Sequence, residues 1–308
     1  KNNVIYVGHK ISDLEFLLII DNGHYSTHTQ SVGRSLRILS KYVPIDKTQF
    51  TVVSSHLGIP INQVSIEREK VSYIVDSPNA ELLTKKITNI NSASKVLNDA
   101  YIDSEYYPSI SNSITPYARY HFFDPNRPLY WDIGIETSPK ILLKPGLIFS
   151  GNISGSLIST FDEIQRGAKG RLTTVRTNQR DFLNVRDPRI NNLILTSYYK
   201  LSNNTYGRFS LGYLEEMYGG LSAEVLKSPI NSSLSYGLEI NKVKYRDSRQ
   251  LLDLRDLNGL SSTNGHLSTY WDTGFYDYHA QLDLGKYLAG DKGGTITLKR
   301  DFPNGWEI

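Results

Sequence analysis

The feature that most constrains this chain is an alternation of apolar and polar side chains that sets in after Ile114 and recurs to the C-terminus. In Leu129-Tyr130-Trp131-Asp132-Ile133-Gly134-Ile135-Glu136 the odd positions are Leu, Trp, Ile and Ile, and the even ones Tyr, Asp, Gly and Glu. Successive side chains of a β-strand point to opposite faces, so this spelling makes one apolar and one mostly polar face. Leu147 to Leu157 repeats it over 11 residues, with Leu147, Phe149, Ile153 and Leu157 on one side. That length matches the ~9–11 residues a tilted strand needs to cross a bilayer. Further alternating stretches run 193–200, 208–214, 221–227, 234–240, 266–271, 278–286 and 295–300, mostly with short, turn-rich connections.

A membrane can be crossed only by a helix or by a closed barrel, because no other structure satisfies every backbone polar group in hydrocarbon. No apolar run here approaches the ~18 residues a spanning helix needs; the longest candidate is Leu14 to Ile20. A barrel is the route left open. Tyr is abundant, at 21 residues with 10 Phe and 3 Trp, and many aromatics gather near strand ends, among them Tyr120, Phe122, Trp131, Tyr199, Trp271 and Tyr276. An interfacial girdle would place them there. The rival is a soluble β-sandwich or large antiparallel sheet, which also alternates; small polar and Gly residues on the second face favour the barrel. With no Cys and a net charge of only +3, disulfides, thiolate sites and nucleic-acid binding are not implied. The chain starts at Lys1 without a leader pattern and stops at Ile308 just after a turn, so it reads as an excerpt of a longer protein.

The first hundred residues are of another kind. Leu14 to Ile20 reads as a buried strand ending at the turn signal Asp21-Asn22-Gly23. Val32, Leu36 and Leu39 recur at helical spacing between Thr29 and Tyr42, with Arg34, Arg37 and Lys41 on the other face and Pro44 beyond the end. Phe50–Val53 and Gln63–Ile66 flank Gly58-Ile59-Pro60 as two strands about a turn, and Asn79 to Ile87 supplies a second helix. The organisation expected is a small α/β domain over 1–110, an irregular stretch up to Ser113, and antiparallel barrel strands over 111–308, incomplete at the C-terminus.

Few residues carry recognisable chemistry. Glu215 and Glu216 are adjacent, so on a strand they point apart and cannot flank one glycosidic bond as an acid and nucleophile pair must; with Gly219-Gly220 they read as a tight connection. His24 and His28 have a metal spacing but sit in a loop with no third ligand. Arg34, Arg37 and Lys41 read as a solvated face able to attract an anionic glycan or a partner domain. No catalytic residue, cofactor site or metal site is expected. The polar candidates on inward faces are Arg208, Glu224, Glu239, Lys242, Lys244, His279, Gln281 and Asp283, which either exchange hydrogen bonds with sugar hydroxyls along a path or pair with one another across a plugged lumen. Tyr-Trp-Asp occurs at 130–132 and at 270–272, either as an equivalent interfacial position in two strands or as coincidence in a Tyr-rich chain.

Several longer words occur in a telling order. Gly212-Tyr-Leu-Glu-Glu-Met-Tyr-Gly-Gly-Leu-Ser-Ala-Glu-Val-Leu-Lys227 is followed by Leu238 to Asp247, Gly265 to Gly274, Gly285 to Asp291 and Phe302-Pro303-Asn304-Gly305-Trp306. Together they resemble the YjbH-like capsule and exopolysaccharide biosynthesis proteins. Ser31 to Arg37 and Phe50 to Val53 are similar to that family's α/β segment, more loosely. The resemblance implies a Gram-negative outer-membrane β-barrel with periplasmic α/β parts that serves capsule or exopolysaccharide export or assembly as a conduit or platform. Its partners would be outer-membrane lipid, the polymer and periplasmic export proteins. The readings that stand beside it are a polysaccharide-modifying enzyme with a site at the barrel mouth or in the periplasmic domain, and a soluble glycan-binding β module.

Overall fold

The computed structural model describes residues 4–22, 28–75, 87–93, 100–124, 126–164, 175–176, 182–183, 188–247, 253–255, 263–302 and 306–308. They form two sheets. The first is built from β1 (Val4–Ile11), β2 (Glu15–Asn22), β3 (Gln49–His56), β4 (Ile59–Glu67), β5 (Asn89–Ser92) and β6 (Tyr101–Ile102), in the order β5-β4-β3-β2-β1-β6. Only β2 and β3 pair in parallel, and a parallel pair needs a crossover. The crossover is α1 (His28–Tyr42), which buries Val32, Leu36 and Leu39 with Ile20, Phe50 and Val52. Arg34, Arg37 and Lys41 stay exposed, as the helical spacing predicted. Strand β2 is the buried strand expected at Leu14–Ile20, and β3 and β4 turn at Leu57-Gly58, so Ile59 and Pro60 belong to β4. The second helix expected over Asn79–Ile87 lies, apart from Ile87, outside the described residues. Instead α2 (Arg68–Val75) follows β4 directly; at two turns it is too short to show helical periodicity.

The second sheet contains β7 (Ser109–Phe122), β8 (Leu129–Lys144), β9 (Leu147–Ser159), β10 (Arg189–Ser202), β11 (Thr205–Tyr213), β12 (Tyr218–Lys227), β13 (Leu234–Arg246), β15 (Thr263–Asp272), β16 (Tyr278–Lys286) and β17 (Lys292–Arg300). They pair antiparallel in chain order, while the two-residue β14 (Leu254–Arg255) adds to the end of β13. Every alternating stretch read from the sequence falls within one of these strands, except that 208–214 overruns the end of β11 by Leu214. Strand β7 begins at Ser109, ahead of the expected change at Ile114, because Ser, Asn and Pro116 conceal its alternation. Pro116 is tolerated since β7 pairs only with β8 among the described residues, and a proline at a sheet edge forfeits no ladder bond. Among the described residues β7 and β17 are not joined, so the sheet is open and no closed barrel is formed. Beyond β17 the chain turns back, with Ile308 N donating to Arg300 O and Arg300 N to Ile308 O at 3.1 and 2.8 Å.

The two ends of this sheet differ. The connections at 145–146, 203–204, 228–233 and 273–277 share one end, and those at 123–128, 160–188, 214–217, 247–262 and 287–291 share the other. The α/β sheet docks on the short-turn end. Gly146 N donates to Leu57 O (2.8 Å), and Lys200 Nζ reaches Pro60 O, Ile61 O and Ser92 Oγ at 3.0, 3.3 and 3.2 Å. Tyr206 OH donates to Ile61 O, and Asn204 N to Ser92 Oγ.

Candidate functional site

Antiparallel register sorts the large sheet into two faces. Directly opposed residues share a face, and the row Phe209, Ala223, Ile240, Gly265, Lys286, Lys292 runs beside the row Val225, Leu238, Leu267, Leu284. This apolar face is bare: Leu238 is 52% exposed, Leu267 55% and Ile296 74%. On the other face the row is Tyr198, Arg208, Glu224, Glu239, His266, and its neighbour is Thr196, Ser210, Ser222, Asn241, Asn264. Polar side chains are thus gathered on one side by nothing more than strand periodicity and register.

On that polar face the structure brings together three of the expected residues. Arg208 NH2 lies 2.9 Å from Glu224 Oε2 and 2.7 Å from Glu239 Oε2. Asn241 Nδ2 donates to Glu239 Oε1 (2.5 Å) and to Asn264 Oδ1 (3.0 Å). Glu224 and Glu239 are direct cross-strand partners, a placement that repels unless a cation sits between them. Two more expected residues join on the neighbouring strands: Asp283 accepts from Ser268 Oγ (2.6 Å) and from Gln281 Nε2 (2.8 and 2.9 Å). His279 lies at the strand end, its Nε2 3.4 Å from Asp301 and its Nδ1 3.8 Å from Asp272. Lys242 and Lys244 do not belong here. By alternation from Glu239 and Asn241 they share the opposite face with Leu238 and Ile240, where both are exposed.

A second polar cluster, which the sequence reading did not find, centres on Asp132. Its carboxylate accepts from Arg189 NH2 (2.5 Å), Ser156 Oγ (2.5 Å) and Tyr117 OH (3.1 Å), and Arg189 also donates to Tyr117 OH, Ser156 Oγ and Leu183 O. Both charged side chains are buried, at 1% and 0% exposure. Asp132 stood out in the sequence only inside Tyr-Trp-Asp, and its partner on β10 is 57 residues away, a separation no local pattern reveals. Beside it, Phe161, Ile164 and Leu183 from the long β9–β10 connection pack on Tyr130. The same connection reaches across to β12 and β13, where Phe182 packs with Met217, Tyr218 and Tyr245. Arg176 makes a bidentate pair with Glu215, at 3.1 and 2.6 Å. At the long-loop end the polar face is therefore covered by its own loop.

The remaining candidates have plain roles. Glu215 and Glu216 lie in the β11–β12 connection as expected, but Gly219 and Gly220 lie inside β12. Gly220 (φ 154°) opposes Gly212 (φ 131°), and a Cβ on either would stand 2.2 Å from a neighbouring strand's carbonyl oxygen; glycine alone permits both the angle and the approach. The two Tyr-Trp-Asp copies are not equivalent. Trp131 stands at the long-loop end of β8 and Trp271 at the short-turn end of β15, both on the apolar face and so at opposite rims. His24 lies outside the described residues, and His28 opens α1. Among the described residues no three His, Cys, Asp or Glu converge as metal ligands.

A family model described as exopolysaccharide biosynthesis protein YbjH matches residues 5–308. The chain belongs to the YjbH family. Its ordered words resembled that family, and the match extends through both sheets. The chain is also 28% identical over 291 residues to the "Uncharacterized lipoprotein YjbH" of Escherichia coli (strain K12), covering 91% of this chain and 41% of that protein. This YjbH-family chain thus spans about two fifths of the relative's length. No solved structure matches it. The family description connects the chain with exopolysaccharide biosynthesis.

Proposed function

We propose that this chain is part of an outer-membrane β-barrel that serves exopolysaccharide export or assembly, without catalysis, as a conduit or platform, with its α/β domain in the periplasm. The observation that carries this reading is the bare apolar face. Some two dozen large side chains on it are exposed, together on the order of 1,000 Å² or more, well beyond the few hundred Å² of a typical soluble monomer's largest patch. At about 25 cal/mol per Å², moving that surface from water into hydrocarbon would be favourable by on the order of tens of kcal/mol, a gain that folding in water leaves unused. Closure would come from further strands of the longer protein pairing with β7 and β17.

Other features agree. Aromatics on the apolar face fall at two rims, the exposed Tyr120 and Phe122 with the half-buried Trp131 at one end and the exposed Tyr199, Tyr236 and Trp271 at the other, as membrane interfaces favour. Outer-membrane barrels have short periplasmic turns and longer external loops, which supports reading the α/β domain's end as the periplasmic one. The hydroxyl- and amide-rich polar face would then line the interior, where Ser, Asn and Thr can exchange hydrogen bonds with sugar hydroxyls. The paired state of Arg208, Glu224 and Glu239 and the loop over Tyr218 and Tyr245 favour a constricted interior over a wide open one. Glycan partners and periplasmic export proteins are part of the proposal.

The test is membrane fractionation of the full-length protein followed by electrophoresis with and without boiling. A membrane barrel fractionates with the outer membrane and changes mobility on boiling; recovery in the soluble fraction refutes the reading. Polymer secretion that is unchanged after deletion of the gene refutes the export role separately.

A further inference from the structure

The outward face carries one more pattern. From β11 to β17, excluding the short β14, the outward positions hold no Asp or Glu, while every strand carboxylate (Glu224, Glu239, Asp272 and Asp283) is on the polar side. Cations are present outward, and near the long-loop end they converge: Lys286 and Lys292 oppose each other directly across β16 and β17, and Lys242 lies one row nearer the loops on β13. Like charges directly opposed on a ladder destabilise it, and among the described residues no carboxylate pairs with Lys242, Lys286 or Lys292. Something anionic has to neutralise them from outside the sheet, or the repulsion stands.

Directly below this trio the apolar face is hollow. Gly265, in the same row as Lys286, has no side chain, and a Cβ there would stand 2.5 Å from Glu239 O. The gap makes a shallow trough of about 450 Å³ walled by Leu238, Ile240, Leu267 and Leu284, with Lys286 at its loop-side edge. A trough of branched aliphatic carbons leading to a pair of unneutralised ammonium groups matches one chemistry, an acyl chain joined to a phosphate.

We propose that this trough and Lys286, Lys292 and Lys242 form a binding site for an anionic, phosphate-bearing membrane lipid in the leaflet at the long-loop end. The acyl chain lies over Gly265 between Ile240, Leu267 and Leu284, and the phosphate bridges Lys286 and Lys292 while Lys242 closes the third side. The long lysine stems carry the ammonium groups to headgroup level, as snorkelling side chains do. The inference rests on the membrane reading above and adds a lipid preference that a barrel does not require. The lone outward lysine of β12, Lys227, has no opposed cation and sits at the short-turn end.

The experiment reconstitutes the full-length protein into nanodiscs of phosphatidylcholine and phosphatidylglycerol in equal amounts, re-extracts it in mild detergent, and measures the lipids retained by mass spectrometry. The wild type is expected to retain phosphatidylglycerol several-fold over phosphatidylcholine. K286Q/K292Q should fall to the input ratio and K227Q should keep the enrichment. The double variant removes a repulsion, so its folding is not endangered; in pure phosphatidylcholine its Tm should equal or exceed that of the wild type. L267W, which fills the trough with all lysines intact, should lose the enrichment too. Retention at the input ratio by wild-type protein, or enrichment that survives K286Q/K292Q, overturns the lipid site and leaves the barrel intact. Failure to enter nanodiscs of either lipid overturns the membrane reading and this inference with it.

Discussion

Replacing Asp132 by Ala would strand the Arg189 guanidinium in a site where it is 1% exposed. What stays within reach is neutral: Tyr117 OH at 2.8 Å, Ser156 Oγ at 3.1 Å and Leu183 O at 3.4 Å. Three neutral acceptors do not offset a desolvated charge, and breaking a buried pair by removing one partner costs about 3–5 kcal/mol. The two hydroxyls that donate to Asp132, from Tyr117 and Ser156, lose their acceptor in the same step. The upper part of that range is therefore expected. The assay is denaturant unfolding of the full-length protein in micelles, followed by Trp fluorescence, because Trp131 adjoins the site in sequence and its backbone N–H donates to Thr160 Oγ1, a bond that the substitution leaves in place. The decisive comparison is Asp132→Leu with Arg189→Met, which removes both charges and fills the volume. It should lose markedly less stability than Asp132→Ala alone, since apolar replacement of a whole buried pair is often close to neutral. An Asp132→Ala loss below about 1 kcal/mol, or a double variant as unstable as the two single changes combined, would refute the view that the cost is an uncompensated buried charge.

Other outcomes follow from the same geometry. Arg208→Gln leaves Glu224 and Glu239 facing each other unneutralised, so stability should fall by about 1–3 kcal/mol; an unfolding midpoint equal to that of the wild type would argue against it. Lys200→Met removes the ammonium that binds Pro60 O, Ile61 O and Ser92 Oγ, and hydrogen exchange should quicken across 57–62 while the far-UV circular dichroism of both sheets is kept. In the α/β domain's outgoing segment burial, aided by Asp21, raises both Tyr106 and Tyr107, the latter to about 12. Because the folded values exceed that of an unfolded tyrosine, their neutral forms support the fold fully below pH ~10 and the support is lost as pH climbs toward 12. Alkaline difference absorbance should show the pair ionising later than the exposed tyrosines and together with loosening of the domain.

The strands of the large sheet were legible because alternation is a local property: Leu129 to Glu136 or Tyr278 to Lys286 states its two faces in eight or nine consecutive letters. Helix α1 was legible for the same reason, through Val32, Leu36 and Leu39. Strand β7 was only partly so, since its Ser, Asn and Pro residues face solvent or a single neighbour and are under little pressure to alternate. Helix α2 escaped because eight residues, little more than two turns, carry too little period to detect. The face of Lys242 and Lys244 was in principle readable, as even-numbered residues cannot share a strand face with Glu239.

Sequence by itself determined the period, the two faces, the absence of a spanning helix and, through its ordered words, the family. Only the tertiary structure decided which polar residues meet. Arg189 finds Asp132, Arg208 gathers Glu224 with Glu239, and the β9–β10 connection settles over Tyr218 and Tyr245. The reason is physical: alternation depends on a residue's immediate neighbours, whereas these contacts depend on register between strands far apart in the chain. A shift of one residue in that register would move every one of those charges to the other face.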